Sequence, residues 1–190
     1  MKKLIAGVDE VGRGSLIGPV YAAAVILKKN LDKKKLKDSK KLTKRNREIL
    51  EKYIKKNSYW SIGSASLKEI EKLNILNASL LAMKRAIKKL SIKPMQVLID
   101  GNKVPKIKNY NLKYIIKGDQ KIPEISAASI IAKVSRDRLI TKMSKKYIKY
   151  SWDNNAGYGT RGHLYAIKKF GITKHHRKTF QPIHNILSQK

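Results

Sequence analysis

Acidic side chains follow apolar runs at three separate places in the chain. The runs are residues 4–8, 95–99 and 112–116, and the acids that follow them are Asp9 with Glu10, Asp100 and Asp119. If the runs are strands of one sheet whose ends lie on the same side, these four carboxylates meet at one point. Carboxylates that close together do not all ionise without cations between them, so the pattern predicts a site for divalent metal. Two such ions about 4 Å apart form the usual clamp for in-line attack of water on a phosphodiester.

The first acidic pair stands directly before a glycine-arginine-glycine turn. Neighbouring side chains of a strand point to opposite faces, so Asp9 and Glu10 share one site only if the strand ends or bends between them. Gly12 and Gly14 supply the backbone freedom for such a bend, and Arg13 between them has a planar guanidinium that fits phosphate. The simpler alternative for this stretch is a polar loop after a first strand. Asp100 and Gly101 could likewise form only an ordinary Asp-Gly turn.

Basic residues dominate the charged part of the composition. Lys and Arg total 44 against 13 Asp and Glu, which gives a formal net charge of +31. Such a charge is typical of proteins that bind nucleic acid, although a compositional drift toward Lys, Ile and Asn would also make a chain basic. The chain has no cysteine, so a metal ion would have oxygen or imidazole ligands. The sequence shows no signal peptide and no run of about 18 apolar residues, so we expect a cytoplasmic protein without membrane association.

The hydrophobic pattern predicts an α/β protein. Residues 20–27 are almost continuously apolar, which is typical of a strand covered on both faces. The predicted strands are residues 3–9, 20–27, 59–65, 95–99 and 112–116. The predicted helices begin at residues 38–43, at Ser66 with its capping-box partner Glu69, at residue 75, at Pro123 and at His163, and residues 171–182 form a wrapping tail. The length of 190 residues favours one compact unit with an appendage.

Seven motifs occur in the order typical of one enzyme family. They are GVDEVGRG at 7–14 with GPV at 18–20, DSKKL at 38–42, IDGN at 99–102, KGD at 117–119, ISAASIIAKVSRD at 125–137, GYGT at 157–160 and HRKTF at 176–180. The motifs span nearly the whole chain. Through them the chain resembles ribonuclease HII, the type 2 ribonuclease H family. The resemblance implies an RNase H-like fold, in which helices flank a mixed central sheet and a small helical segment follows. Residues 1–150 would form the catalytic domain and residues 151–190 the substrate-contacting segment of the same compact unit.

The resemblance also implies an activity. It is the endonucleolytic cleavage of the RNA strand in RNA–DNA hybrids, including single ribonucleotides embedded in duplex DNA, with a 3′-hydroxyl and a 5′-phosphate as products. The residues that would bind Mg²⁺ or Mn²⁺ for this reaction are Asp9, Glu10, Asp100 and Asp119. Metal would activate the water, so no histidine base is required. We expect the protein to act as a monomer.

Two further features would recognise the substrate. By the same resemblance, Gly12, Arg13 and Gly14 contact the 2′-hydroxyl that distinguishes RNA from DNA, and Tyr158 stacks on the next deoxyribose. Together these contacts would recognise an RNA-to-DNA junction. Tyr158 could equally be a packing residue of its glycine-rich loop.

Other polar residues are less specific candidates. Those that would contact phosphates are Ser39, Lys40, Lys41 and Lys133, although solvation alone explains most lysines in so basic a chain. Asp137 is the alternative to Asp119 as fourth acid, but its position between two arginines in a helix favours a salt bridge. The four histidines are predicted to be structural. A non-catalytic, basic nucleic-acid-binding protein, in which the acids only end strands, is the alternative function.

Overall fold

One mixed sheet lies at the centre of the molecule. A computed structural model describes residues 4–36 and 42–188 of the chain. Within these residues the strands are β1 (Ile5–Val11), β2 (Val20–Leu27), β3 (Ser58–Ala65), β4 (Gln96–Asp100) and β5 (Leu112–Ile115). Their order across the sheet is β3-β2-β1-β4-β5. The first three strands are antiparallel neighbours, whereas β4 runs parallel to β1 and β5 runs parallel to β4.

Helices cover both faces of this sheet. The helices of the described residues are α1 (Lys44–Lys56), α2 (Leu67–Lys88), α3 (Gly118–Lys121), α4 (Pro123–Ser144), α5 (Trp152–Asn155), α6 (Arg161–Phe170) and α7 (Gln181–Ser188), of which α2 and α4 lie on opposite faces of the sheet. Ala22 of β2 belongs to the same buried cluster as Ala82 of α2, whereas Ala23 belongs to the cluster that contains Ile131 of α4. Strand β2 is therefore covered on both faces as predicted, and the α/β fold with a mixed central sheet is confirmed.

Local capping signals begin several helices where the sequence predicts. Ser66 and Glu69 form a capping box at the start of α2, and Pro123 occupies the first turn of α4. Thr43 caps α1 through its side-chain oxygen. α2 continues across Asn74, whose φ of 65° kinks it, so the helices predicted from residues 66 and 75 form one element.

Two predicted strand ends are wrong. β1 does not end or bend between Asp9 and Glu10, because both residues pair with β2 and the strand continues to residue 11. The antiparallel partner therefore extends β1 beyond its predicted end. β5 ends at Ile115, and Asp119 lies in α3, because Lys117 turns the chain through a left-handed conformation with φ 55° and ψ 41°.

The C-terminal helices pack against the loop that follows β1. Leu16 and Ile17 of this loop share a buried cluster with Trp152 of α5, Ile167 of α6 and Ile183 of α7. The wrapping tail predicted over residues 171–182 is wrong at its end, because α7 begins at residue 181 and its buried isoleucine anchors it. The division into residues 1–150 and 151–190 stays a prediction. Among the described residues, no helix is long and apolar enough to cross a bilayer.

Candidate active site

The acids at the ends of β1 and β4 come together because these strands are parallel neighbours. The register pairs Val8 with Ile99, so the residues that follow, Asp9 and Asp100, lie at the same edge of the sheet. Asp9 is only 6% exposed, and Glu10 and Asp100 are partly buried. The parallel register thus provides what the strand-end pattern predicts, a meeting of acids that are distant in the sequence.

Hydrogen bonds from two helices orient these carboxylates. The hydroxyl of Ser129, on α4, bonds the carboxylate of Asp9, and the backbone N–H of Glu10 donates to Asp9 Oδ1 at 2.7 Å. The backbone N–H of Gly118, at the start of α3, donates to Asp100 Oδ1 at 2.7 Å. Each strand-end acid is therefore held from a separate element.

Close packing of α4 on β1 brings Ser129 within reach of the acids. A Cβ atom on Gly7 would lie 2.0 Å from the carbonyl carbon of Glu124, so only glycine fits beneath the first turn of α4. The small side chains at residues 126–128 are buried in the same contact layer. This is the close helix-to-sheet approach that small residues permit.

Burial and mutual repulsion oppose ionisation of the acidic cluster. Burial raises the pKa of Asp9 well above its usual range, and the charges of Glu10 and Asp100 raise it further, while the Ser129 hydrogen bond lowers it in part. Burial also raises the pKa of Glu10, against the effect of the Arg13 guanidinium, whose Nη1 lies 3.1 Å from Glu10 Oε1. A divalent cation would offset both the burial of charge and the repulsion, so the electrostatics fit a metal site.

The chemistry of the donors also fits a hard divalent cation, since all of them are carboxylate oxygens. Asp119 is partly buried and directly follows Gly118, the residue that is hydrogen-bonded to Asp100. Across residues 4–36 and 42–188, no three His, Cys, Asp or Glu side chains are already arranged as ligands around one point. Although β1 continues past Asp9, the charges of Glu10 and Asp100 both act on Asp9, so these three acids lie near one another without the strand end or bend that the sequence argument required. The role of all four acids as metal ligands, Asp119 included, stays a prediction.

Two fully buried arginines hold the loop that follows β1. Arg136 donates hydrogen bonds to the backbone carbonyls of Ile17, Pro19 and Ala156, at 3.1 to 3.3 Å. Arg177 donates to the backbone carbonyls of Arg13 and Gly18, at 2.9 Å each. Gly12 turns the chain with φ +91°, and a Cβ atom there would lie 2.2 Å from Nε of Arg136. Burial and the neighbouring Arg136 lower the pKa of Arg177 to about 9, so it stays charged at neutral pH. Neither role was predicted, because arginine is mostly exposed and these contacts join distant parts of the chain.

The loop turns its carbonyls toward these arginines and leaves N–H groups available. Among the described residues, the backbone N–H groups of Arg13 and Gly14 have no acceptor. A Cβ atom on Gly14 would lie 3.7 Å from the Tyr158 ring, and Ser15 forms a backbone bridge with Tyr158. Tyr158 is 37% exposed. The exposed Tyr158 ring therefore lies beside the turn that carries these two N–H donors, and the Arg13 side chain of the same turn is paired with Glu10.

The less specific candidates are resolved in part. Asp137 lies 2.8 Å from Lys133 Nζ and 3.9 Å from Arg47 Nη1, which confirms its predicted salt bridge and shows that Lys133 is engaged within the protein. It lies two helical turns beyond Ser129, about 12 Å along α4, and this separation favours Asp119 as the fourth acid. The other predicted phosphate contacts, Ser39, Lys40 and Lys41, lie outside the described residues.

Comparison with known sequences identifies one family. The family model for ribonuclease HII matches residues 6–183. A ribonuclease HII of Pelagibacter ubique is 75% identical over 185 residues, which cover 97% of this chain and 100% of that protein. A ribonuclease HII of Neisseria meningitidis is 46% identical over 191 residues, which cover 100% of this chain and 98% of that protein.

Solved structures share the fold. The ribonuclease H2 of Pyrococcus horikoshii superposes with a TM-score of 0.81 at 28% identity, covering 97% of both chains. Bst-RNase HIII, solved in complex with Mn²⁺, gives a TM-score of 0.76 over 98% of this chain and 70% of that one. Its sequence is 17% identical, so this second likeness shows the fold alone.

The five-stranded mixed sheet, with acids at the adjoining ends of β1 and β4, defines a nuclease of the ribonuclease H class. Because the family model covers residues 6–183 and a relative is 75% identical, the chain belongs to the ribonuclease HII family. It is a divalent-metal-dependent endoribonuclease that acts on RNA–DNA hybrids. The alternative of a non-catalytic nucleic-acid-binding protein is therefore set aside.

Proposed function

We propose that the protein also hydrolyses duplex DNA at single embedded ribonucleotides, cutting on the 5′ side of the ribonucleotide and leaving a 3′-hydroxyl and a 5′-phosphate. One observation carries this proposal. The acids of β1 and β4 lie at the same sheet edge, and the loop at residues 12–14 with its neighbour Tyr158 lies beside them. Groups suited to hydrolysis and groups suited to recognising a sugar are thus adjacent.

The residues proposed to hold two divalent ions, Mg²⁺ or Mn²⁺, are Asp9, Glu10, Asp100 and Asp119. When bound, such ions supply positive charge at the scissile phosphate and at the attacking water. Ser129 and Gly118 keep two of the acids oriented through the hydrogen bonds described above. The raised pKa values of Asp9 and Glu10 support this assignment, because a cation is the group that these buried acids require.

Recognition of the ribonucleotide is proposed to use the backbone of the glycine-arginine-glycine turn. The N–H groups of Arg13 and Gly14 are donors for the oxygen of a 2′-hydroxyl, the group that DNA lacks. The exposed ring of Tyr158, next to Gly14, is proposed to stack on the sugar of the following deoxyribonucleotide. A substrate that satisfies both contacts has RNA followed by DNA, which is the junction at an embedded ribonucleotide.

The surface charge is proposed to hold the duplex. With a net charge of +31, the protein gains affinity from the release of counterions by the nucleic acid, independently of sequence. The phosphate contacts of Ser39, Lys40 and Lys41, the monomeric state and the cytoplasmic location stay predictions from the sequence.

Cleavage of a labelled duplex that carries one ribonucleotide tests the proposed chemistry. We expect one cut on the 5′ side of the ribonucleotide in Mg²⁺ or Mn²⁺, and no cut with Asp9→Asn or Asp100→Asn. Asp137→Asn is the matched control, because it makes the same change at a carboxylate held by Lys133. Cutting at the parent rate by Asp9→Asn would contradict the metal assignment. Loss of cutting in Asp137→Asn but not in Asp119→Asn would show that Asp137, and not Asp119, is the fourth ligand.

A further inference from the structure

A network of buried, hydrogen-bonded side chains reaches the backbone carbonyl of Tyr158. The Nε1 atom of Trp152 lies 2.9 Å from Nε2 of His163, whose Nδ1 lies 2.9 Å from the carbonyl oxygen of Tyr158. Nε2 of His176 lies 3.3 Å from Nε2 of His163, and the backbone N–H of Thr173 donates to Nδ1 of His176 at 2.8 Å. Trp152, His163 and His176 are each at most 1% exposed. This network thus connects the C-terminal segment to the loop that carries Tyr158.

The hydrogen-bond partners determine the tautomers of both histidines. The indole N–H of Trp152 can only donate, so Nε2 of His163 accepts, and the proton of His163 is on Nδ1, directed at the Tyr158 carbonyl. Thr173 donates to Nδ1 of His176, so the proton of His176 is on Nε2, and it shares the lone pair of His163 Nε2, at the longer distance of 3.3 Å, with the Trp152 N–H. Burial lowers the pKa of His163 and lowers that of His176 to about 4, which keeps both rings neutral near pH 7.

The Tyr158 carbonyl is thereby fixed from two directions. It accepts from His163 Nδ1 and from the backbone N–H of Thr160, at 2.8 Å. Thr160 in turn caps α6, since its side chain accepts from the backbone N–H of His163. On its other side Tyr158 is bridged to Ser15 of the loop after β1. The backbone beneath the exposed ring therefore depends on the position and the protonation of His163.

We propose that His163, oriented by Trp152 and His176, is a positioning residue that sets the place of the Tyr158 ring beside Gly14 and so sets the preference for an RNA-to-DNA junction. This inference rests on the proposed function of Tyr158. It assigns to a buried histidine, far from the acids in the sequence, an effect on substrate preference rather than on the hydrolysis itself.

Two substitutions of His163 separate positioning from packing. In His163→Asn the amide nitrogen can occupy the place of Nδ1 and still donate to the Tyr158 carbonyl, whereas in His163→Gln the amide lies at the level of Nε2 and this donor is lost. Both variants are neutral and lose the ring, so thermal denaturation is expected to show similar destabilisation. The readout is the ratio of kcat/KM for a duplex with one ribonucleotide to kcat/KM for a uniform RNA–DNA hybrid.

We expect His163→Gln to lower this ratio about fivefold, as for the loss of one hydrogen bond, and His163→Asn to keep it near the parent value. In a Tyr158→Ala background, His163→Gln is expected to change the ratio no further, because its effect acts through that ring. Equal ratios for parent, Asn and Gln variants, or an undiminished effect in the Tyr158→Ala background, would overturn the inference.

The failure of the inference and the failure of the proposed function give different results. If Tyr158→Ala lowers the ratio and both His163 variants match the parent, only the positioning role is wrong. If Tyr158→Ala itself leaves the ratio unchanged, the proposed role of Tyr158 is wrong and the inference falls with it. Should His163→Gln not fold, Trp152→Phe removes the indole donor and keeps an aromatic ring, and a parent-like ratio there would overturn the inference.

Discussion

Acid should destabilise the fold through His176. Its side chain is 1% exposed, and burial, together with the charges of the neighbouring His163 and His175, lowers its pKa from an ordinary 6.5 to about 4. Between these two pH values the unfolded chain binds a proton at this position and the folded chain does not. Stability is therefore fully present above pH 6.5 and is lost as the pH falls toward 4.

The size of the effect follows from the shift. This difference between the pKa of His176 in the folded and unfolded states corresponds to a loss of about 3 kcal/mol of folding stability once both states are protonated. Between pH 7 and pH 5 the loss is about 2 kcal/mol. Asp9 and Glu10 act in the opposite direction, because a buried acid with a raised pKa binds its proton more readily in the folded state. The pH dependence of the parent alone is thus a sum of opposing contributions.

His176→Asn isolates the histidine, since its amide oxygen can still accept from Thr173 but does not titrate. Urea denaturation at 25 °C, at pH 7 and pH 5, gives the free energy of unfolding of each protein. The parent should lose about 2 kcal/mol more than His176→Asn between these pH values. If the two proteins lose equal amounts, within about 0.5 kcal/mol, then His176 is not held neutral by burial in the folded protein.

Three further predictions concern the loop and the surface. Gly12→Ala should lower the free energy of unfolding by about 1–3 kcal/mol, because φ is +91° and the new methyl group meets Arg136. Gly162→Ala, with open space around it, is the control and should change the free energy of unfolding by no more than about 1 kcal/mol. Equal denaturation midpoints for the two variants would contradict this. Tyr158→Ala should slow cleavage at a single ribonucleotide without altering thermal unfolding, and a parent rate would contradict the proposed contact of its ring with the deoxyribose. Arg13→Ala keeps the backbone N–H and should slow cleavage only through loss of the ion pair with Glu10. Affinity for duplex should fall steeply between 50 and 200 mM salt, by about a thousandfold if six or more phosphates are contacted, and a flat response in a binding titration would refute the role of the surface charge.

The elements that depend on local signals could be predicted from the sequence. The apolar run of β2, the capping box at Ser66 and Pro123 at the start of α4 all involve residues close in the chain, and all three are confirmed. The meeting of Asp9 with Asp100 could also be anticipated, because parallel strands bring their carboxyl ends to one edge.

What could not be predicted depends on contacts between distant residues. The continuation of β1 past Asp9 requires its pairing with β2, and the position of Asp119 in α3 requires the left-handed turn at Lys117, where a lysine gives no such signal. The buried roles of Arg136 and Arg177 oppose the usual preference of arginine for the surface. Residue type alone therefore indicated the acids and missed the two arginines that hold the loop after β1.

Binding of Mn²⁺ by itself, without substrate, tests the acidic cluster most directly. Calorimetric titration at pH 7 should show binding to the parent, because a divalent cation would offset the burial and the mutual repulsion that raise the pKa values of Asp9 and Glu10. Asp137→Asn should bind as the parent does, and Asp9→Asn should bind far more weakly or not at all. Equal Mn²⁺ affinity in the parent and in Asp9→Asn would contradict the placement of the metal site at the edge of β1 and β4.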